Sequence, residues 1–424
     1  MSADLDVAVV GAGIAGLAVA RRLAAAGRSV HVFESADVVG GRMACVRRDG
    51  CVFDAGAEML GTGGYPATWR LLGELGMTTD DVPVIGRDIA VWRRGRARAH
   101  LGELRGSGLS LFGRAAMVAA LGVRRLDTDA PERTPGHLLA DVGTRELHDY
   151  LVQPLAGGFF GWDTRLACAG PMLAHLRAVG APSTYRTYRG GMDTPARRLA
   201  ADLDVSTGVP VRAVTTTRTG ARLVTDAATL TARQIVLAVP APVAAALHPA
   251  APEYVHACEF RPMVKVGYLL DRPLGPPTDS FALAVPAVED TRVAGLSFEH
   301  RKHPDRVPPG RGLVSVVATR PADWLDADDR ETAAALLAGA ERYVPGMTAA
   351  ALGSVVSRFR HGLPMPTPTA LALRSDFTAR PPSTVDYVGD WYTARPCAEG
   401  AVRSAELVAD RVLDRRTAPV GSPT

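Results

Sequence analysis

The sequence predicts an α/β protein, with a discontinuous dinucleotide-binding domain of the Rossmann type and an inserted mixed α+β domain. Its first residues follow the order strand, glycine-rich turn, helix, strand and acidic residue that a dinucleotide site requires. Apolar strand patterns that fit the same buried parallel sheet return at 234–240 and again just before residue 390. A chain of 424 residues is also too long for one simple core, which favours two domains.

The first unit comprises a strand at 6–10, a glycine-rich turn, a helix at 17–26 and a strand at 29–33. Gly11 permits the tight turn, Gly13 lets the backbone approach a pyrophosphate, and Gly16 lets helix and strand pack closely. The helix N-terminus offers free N–H groups and a positive dipole end to phosphates. Glu34 follows Gly11 at close to the expected spacing of roughly 20 residues. A carboxylate at this spacing accepts hydrogen bonds from ribose hydroxyls. The predicted contacts of this unit are Gly11, Gly13, Ile14, Ala15, Gly16, Glu34 and Ser35.

The chain continues with Val38-Val39-Gly40-Gly41-Arg42 and Phe53-Asp54-Ala55-Gly56-Ala57-Glu58. This stretch resembles the N-terminus of the FAD-containing superfamily of flavin amine oxidases, protoporphyrinogen oxidases and carotenoid- or squalene-type desaturases. The resemblance implies that Gly41 and Arg42 lie against the FAD pyrophosphate. It also implies that Gly56 and Ala57 lie beside the flavin ring and that Glu58 contacts the flavin or faces the substrate.

Two later stretches carry the same resemblance. The turn Gly190-Gly191-Met192 before a helix marks a return to the FAD domain, after which Val211 is implied at the adenine end. In Val388-Gly389-Asp390-Trp391 the resemblance implies that Gly389 and Asp390 lie at the ribityl chain. In Ala398-Glu399-Gly400-Ala401 it implies a helix N-terminus pointing at the flavin, with contacts from Glu399, Gly400 and Ala401. We therefore predict non-covalently bound FAD.

The domain organisation follows from these returns. Residues 1–76, 189–250 and 381–416 are predicted to form the FAD-binding domain, and 77–188 and 251–380 the substrate domain, with a flexible tail at 417–424. Within the substrate domain, strand patterns at 264–270, 281–285, 293–298 and 313–319 predict an antiparallel sheet. The segment 154–162 is rich in glycine and aromatic residues and is predicted to be a loop.

Lys265 is the first catalytic candidate. It lies inside an apolar strand pattern, and only two of the 48 basic residues of the chain are lysines. Flavin amine oxidases carry a lysine in a similar strand, linked through a water molecule to flavin N5, and the resemblance implies this role for Lys265. Glu58 is a candidate anchor for a substrate cation or a base, and Tyr185 a candidate cavity wall. Arg320, at the end of the strand pattern 313–319, is a candidate ligand for a substrate carboxylate or carbonyl.

These residues favour an FAD-dependent oxidoreductase of the amine or amide oxidase type. We expect it to oxidise a C–N bond of a largely apolar small molecule, such as a natural-product intermediate, by hydride transfer to flavin N5. Dioxygen or another acceptor would then take the electrons. Amine oxidases usually place tyrosine or tryptophan where this chain has Cys397, and the C-terminal motif is closer to the desaturases. A desaturase or dehydrogenase acting on C–C bonds of an isoprenoid or porphyrinogen-like substrate therefore stays open, as does a redox-neutral isomerase or cyclase.

Composition excludes several other classes. The formal net charge is only +4 with dispersed arginines, which argues against a nucleic-acid partner. Five cysteines without a CxxC pair indicate neither a disulfide framework nor a metal site, and they fit a reduced, cytoplasmic location. The longest uncharged stretch, 234–252, contains prolines and is a poor membrane span. The first strand begins within six residues of the start, so we expect no signal peptide. The oligomeric state is left open.

Overall fold

The computed structural model describes residues 3–101, 108–122 and 137–414, and side chains 120–122 are not described. The predicted tail at 417–424 lies outside the described residues. The strands, numbered in chain order, are β1 Leu5–Val10, β2 Val30–Phe33, β3 Cys45–Arg48, β4 Cys51–Asp54, β5 Ile89–Arg93, β6 Arg96–Arg98, β7 Asp204–Ser206, β8 Val211–Thr217, β9 Gly220–Thr225, β10 Thr229–Leu237, β11 Glu259–Leu270, β12 Ala282–Ala284, β13 Val293–Phe298, β14 Gly312–Ala318, β15 Ala351–Met365 and β16 Val385–Tyr387.

The helices are numbered in the same way. They are α1 Ile14–Ala25, α2 Pro66–Glu74, α3 Leu111–Gly122, α4 Arg145–Leu147, α5 Ala169–Val179, α6 Thr194–Ala201, α7 Ala241–Leu247, α8 Glu253–Ala257, α9 Glu299–Lys302, α10 Asp329–Ala340, α11 Met347–Ala350, α12 Pro368–Ala379 and α13 Ala398–Asp414. Among the described residues, none of these helices is both long and apolar enough to cross a bilayer.

The first sheet has β1 at its centre, paired in parallel with β2 on one side and with β10 on the other. β7 extends the sheet beyond β2, β16 pairs in parallel with β10, and β9 and β8 continue it as an antiparallel ribbon. Val7, Ala8 and Val9 are completely buried because helices cover the sheet. This is the α/β Rossmann-type architecture that the sequence predicts.

The second sheet has the order β15-β11-β14-β13-β12-β5-β6. Its strands include those predicted near 264–270, 281–285, 293–298 and 313–319, but the sheet is not purely antiparallel as predicted. β5 pairs in parallel with β12, which the long connection between these two strands permits. β15 was not predicted as a strand. It pairs only with β11, and at such an edge Pro364 needs no backbone N–H partner.

A second departure from prediction concerns the segment 154–162. Pro154–Phe159 is π-helical rather than a loop. Ala156 and Trp162 are buried in a small core with Met172 and Leu173 of α5, so tertiary packing outweighs the weak helix propensity of the glycines.

The two sheets come from the two sets of segments predicted as separate domains. β1, β2, β7–β10 and β16 fall in the predicted FAD-binding segments, and β5, β6 and β11–β15 in the predicted substrate segments. The boundaries between these segments stay a prediction. The two sheets together position a cavity that is lined by residues of both.

Candidate active site

A cavity of about 1060 Å³ lies between the two sheets. It begins at Val10 and Phe33, the last residues of two parallel strands, where open α/β sheets usually bind ligands. It ends among residues of the second sheet and of α5. The volume is at the upper end for ligand sites, so the cavity has room for a large cofactor and a second small molecule.

The glycine-rich turn forms one wall of the cavity. Gly11, Gly13, Ile14 and Ala15 line it, as the sequence predicts. A Cβ atom built on Gly13 would meet nothing within 4 Å, whereas one on Gly16 would lie 2.0 Å from the Gly11 carbonyl oxygen. Gly13 therefore leaves open space at the N-terminus of α1, and Gly16 allows close packing without lining the cavity. The open space and the helix dipole suit a pyrophosphate.

Glu34 lies beside this turn and is held by backbone groups. Its Oε2 atom accepts from the Ala12 N–H at 2.7 Å, and its Oε1 atom accepts from the Ala36 N–H at 2.9 Å and from Ser35 Oγ at 3.2 Å. Glu34, Ser35 and Val211 line the same arm of the cavity. A carboxylate fixed at this point suits a ribose, as predicted for the adenosine end of FAD.

Arg42 and Asp390 contact each other directly. Two guanidinium nitrogens of Arg42 donate to the two carboxylate oxygens of Asp390, each at 2.8 Å, and a third bond of 3.0 Å reaches the Gly362 carbonyl. Both side chains line the cavity, together with Gly41 and Gly389. The two residues that the resemblance assigned to different parts of FAD thus form one bidentate ion pair, which joins the first predicted FAD segment to the last.

The start of α13 places only one of its three predicted contact residues at the cavity. Ala401 lines the cavity, but Glu399 and Gly400 do not. The Glu399 carboxylate accepts from the N–H groups of Ala67 and Thr68, at 3.1 and 2.9 Å, and so satisfies the first turn of α2. Gly400 packs against the backbone of Arg395. Both residues serve the packing of helices rather than the wall of the site.

Lys265 and Glu58 meet at the end of the dinucleotide arm, which is the part of the cavity lined by the glycine-rich turn, Glu34, Ser35 and Val211. Lys265 Nζ forms an ion pair with Glu58 Oε1 and donates to the Asp54 carbonyl at 2.7 Å. The Lys265 side chain is 1% exposed, because it extends from β11, inside the second sheet, to the Glu58 carboxylate and the Asp54 carbonyl. Lys265, Glu58, Gly56 and Ala57 all line the cavity.

The other two catalytic candidates differ in placement. Tyr185 lines the cavity, and burial raises the pKa of its phenol to about 12, so the phenol stays protonated near neutral pH. Arg320 lies outside the cavity, 70% exposed, and pairs with Asp323 at 3.1 Å. β14 ends at Ala318, so Arg320 falls in the turn beyond the sheet and points to solvent. Its predicted contact with the substrate has no support in this placement.

The sequence analysis missed three residues that complete the charged part of the site. Lys302 Nζ lies 3.2 Å from Glu58 Oε2 and 2.8 Å from Glu299 Oε1, and Ser297 Oγ donates to Glu58 Oε1 at 2.8 Å. One signal would have indicated Lys302, since it is the second of only two lysines in the chain. Both lysines contact Glu58.

These contacts determine the charge of Glu58. Burial alone would raise the pKa of this carboxyl, but Lys265 and Lys302 more than offset burial and lower it to about 2. Burial also opposes the charge of Lys302, but the carboxylates of Glu299, Glu58 and Asp54 outweigh it and raise the pKa of Lys302. Glu58 is therefore a doubly paired carboxylate, not a free base.

The far arm of the cavity is apolar. It is formed by α5, the π-helical turn and the second sheet, and its lining includes Leu151, Leu155, Phe159, Met172, Leu173 and Leu296. His175 also lines it, and burial lowers the pKa of its imidazole to about 3, so this side chain is neutral. Cys397 and Tyr65 also line the cavity. This arm suits a hydrocarbon portion of a ligand.

Comparisons with known proteins agree with this geometry. A family model described as flavin containing amine oxidoreductase matches residues 14–413. AofH of Mycobacterium tuberculosis, named as a flavin-containing monoamine oxidase, is 43% identical over 100 residues, 24% of this chain and 22% of AofH. A 4,4'-diapophytoene desaturase of Staphylococcus haemolyticus is 54% identical over 56 residues, 13% of this chain and 11% of the desaturase. The matched stretches thus span less than a quarter of either relative's length.

A solved structure shows the same fold over nearly the whole chain. Cyclohexylamine oxidase from Brevibacterium oxydans superposes with a TM-score of 0.76 and covers 98% of this chain and 100% of its own. Its sequence identity is 18%, so this likeness concerns the fold alone.

Proposed function

This chain belongs to the family of flavin containing amine oxidoreductases, and we propose that it oxidises a C–N bond of a largely apolar amine or amide. Its cofactor is FAD, bound non-covalently. The open space at Gly13, the fixed carboxylate of Glu34 and the N-termini of α1 and α13 fit a dinucleotide of this size. When bound, FAD supplies a hydride acceptor at N5, and the family pairs this with small-molecule substrates and an electron acceptor.

The observation that carries the proposal is the position of Lys265. Its ammonium group is held by Glu58 and by the Asp54 carbonyl at the point where the dinucleotide arm meets the apolar arm. A compact ammonium with a fixed direction can orient one water molecule beside a flavin ring, a task that suits lysine better than arginine. Lys265 therefore orients water and exchanges protons, and Glu58 holds Lys265 in place.

The substrate class follows from the charges in the cavity. Both oxygens of Glu58 are already paired with lysines, so Glu58 is unsuited to anchoring a substrate cation. The neutral His175 and the leucines of the apolar arm likewise favour an uncharged group. We propose that the substrate reacts as a neutral amine or amide with its hydrocarbon portion in the apolar arm. Tyr185 forms part of the wall, and dioxygen is the proposed electron acceptor.

The test is anaerobic titration of the FAD-loaded protein. We expect flavin absorbance to bleach with a hydrophobic amine and to recover in air with release of peroxide. A matched polar diamine of similar length is the control and should bleach the flavin more slowly. If neither amines nor amides bleach the flavin under any condition, the proposal is wrong.

A second candidate has one specific observation in its favour. Cys397, not an aromatic residue, lines the cavity at the position of the usual cage wall, and a desaturase is among the relatives. The same titration with an apolar polyene and a porphyrinogen tests this candidate. Bleaching by these compounds alone would identify a C–C dehydrogenase. Turnover of a substrate without any bleaching would instead support a redox-neutral isomerase or cyclase.

A further inference from the structure

Glu58 has one lysine for each of its two carboxylate oxygens. Oε1 pairs with Lys265, and Oε2 lies 3.2 Å from Lys302 Nζ. These lysines come from different elements, β11 and α9, and no other lysine exists in the chain. Arginine is used at every other basic position, so two buried lysines on one carboxylate call for a chemical explanation.

The two lysines differ in their access to the cavity. Lys265 and Glu58 line it, whereas Lys302 and its second partner Glu299 lie behind them with completely buried side chains. A ligand in the cavity can therefore reach Lys265 but not Lys302. The Lys302 end of the Lys302–Glu58 contact is completely buried, and a lone charge there is costly.

The surrounding charges are balanced. From β4, the Asp54 carboxylate pairs with Arg306 at 2.7 Å and lies 3.9 Å from Lys302. From α9, Glu299 pairs with Lys302 at 2.8 Å, and from β14, Ser315 donates to Glu299 at 3.2 Å. Three carboxylates thus face three cations. A change in the charge of one of these groups, with no second partner to offset it, would leave a buried charge uncompensated.

We propose that Lys302 is the permanent counter-charge of Glu58 and that it thereby allows Lys265 to release and regain a proton at the cavity wall. One proton moves from Lys265 Nζ to a basic atom in the cavity, either a water molecule or the anion formed when the electron acceptor is reduced. No electrons move in this step. Glu58 stays a carboxylate and is then paired with Lys302 alone. Lys302 acts through Glu58, so it is a positioning residue.

The directions of the pKa shifts agree with this geometry. The pKa of Glu58 is lowered despite burial, and the pKa of Lys302 is raised despite burial. Burial, with the nearby charges of Asp54 and Glu58, raises the pKa of Glu299, so among the three carboxyl groups of the cluster this one most readily holds a proton. Lys302 thus keeps its charge beside Glu58.

The test uses the fact that the chain has only two lysines. FAD-loaded protein labelled with ¹⁵N at lysine Nζ should give two resonances, and Lys302→Met removes one of them and so assigns both. We expect the Lys265 resonance to change from ammonium to amine at a higher pH in Lys302→Met than in wild type, by about one pH unit or more, because a neighbouring positive charge has been removed. The Lys302 resonance of the wild type should stay at the ammonium position.

Two further variants keep the test decisive. If Lys302→Met fails to fold, Lys302→Gln removes the positive charge but keeps an amide donor beside Glu58 and Glu299, and it should show the same upward shift. Arg301→Met, on the same helix but bonded to the carbonyls of Thr278 and Ser280, should leave the Lys265 transition unchanged. An unchanged or lower transition in the Lys302 variants would overturn the proposal. So would a wild-type Lys265 that remains an ammonium ion up to about pH 10.4, the ordinary range of lysine.

The inference deepens the role proposed for Lys265, but its test needs no substrate. A protein that fails to oxidise amines can still show the predicted Lys265 transition, and an amine oxidase can fail to show it. The two results therefore distinguish failure of the proposed function from failure of the proposed proton exchange.

Discussion

Lys265 and Lys302, the two lysines of the chain, bind opposite oxygens of one carboxylate. They are joined through Glu58, which is 14% exposed, while both lysine side chains are almost completely buried. This arrangement makes the carboxylate a structural anion and leaves one of the two ammonium groups at the cavity wall. The predictions below start from this cluster and extend to the cofactor site.

Lys265→Met should keep FAD bound but slow its reduction by substrate at least about tenfold, because the ammonium group that orients water and exchanges protons is lost. Rapid mixing of the FAD-loaded variant with substrate in the absence of oxygen measures this rate. Arg320→Met is the control, since Arg320 is exposed and lies outside the cavity, and its rate should stay within about twofold of wild type. Equal reduction rates in Lys265→Met and wild type would contradict the role of Lys265.

Glu58→Gln should lower the free energy of unfolding by about 3–5 kcal/mol, because it leaves two buried lysines with one fewer negative partner. Urea unfolding at neutral pH measures the change. Glu406→Gln is the matched control, since Glu406 pairs with the exposed Arg70, and it should lower stability by less than about 1 kcal/mol. Similar losses in both variants would show that the cluster is not an important source of stability.

The charged cluster should also make stability fall in acid. Lys265 and Lys302 outweigh burial to lower the pKa of Glu58 from 4.5 to about 2, so the folded state binds this proton less readily than the unfolded state. The stabilisation is therefore fully present above about pH 4.5 and is lost as the pH falls towards 2. Asp54 contributes with the same sign, because Arg306 and Lys302 outweigh burial and lower its pKa, whereas burial raises the pKa of Glu299 with the opposite sign.

Urea midpoints measured between pH 6 and pH 3 test this dependence. The wild type should lose stability over this range more steeply than Glu58→Gln, which has one fewer carboxylate with a lowered pKa. Parallel pH profiles for the two proteins would show that Glu58 is not the group responsible.

Gly13→Leu should weaken FAD binding at least about tenfold without unfolding the protein. Gly13 has φ −71° and ψ 171°, a conformation that other residues adopt freely, and its Cβ would enter the open space of the cavity. The ratio of flavin to protein absorbance after dialysis measures retention of FAD. Gly73→Leu is the control, because a Cβ there also meets nothing within 4 Å but lies on the surface of α2. Full FAD retention in Gly13→Leu would place the pyrophosphate elsewhere.

Glu399→Ala should lower stability by about 1–3 kcal/mol while FAD affinity changes little. The carboxylate accepts from the buried N–H groups of Ala67 and Thr68, and removing it leaves these donors unsatisfied. Urea unfolding and an FAD titration of the same variant separate the two effects. A large loss of FAD affinity with unchanged stability would restore the cofactor contact expected from the sequence.

Much of the cofactor site could be predicted because its signals are local. The turn from Gly11 to Gly16, the helix after it and Glu34 lie within one short stretch, and their order alone specifies which atoms face a phosphate or a ribose. The motif around Asp390 was recognisable for the same reason. Each of these predictions needed only the conformation of neighbouring residues.

The charged cluster could not be predicted in this way. Glu58 and Lys302 are 244 positions apart, and nothing in either local pattern indicates that the segment after β4 meets α9. The positions of Arg320 and Glu399 outside the cavity have a related cause, because the end of β14 and the packing of α13 on α2 decide where those side chains point. By itself the sequence determined the fold class and predicted the FAD site, through short-range backbone geometry. Only the tertiary structure decided which charges are buried together, because burial and pairing depend on contacts between distant segments.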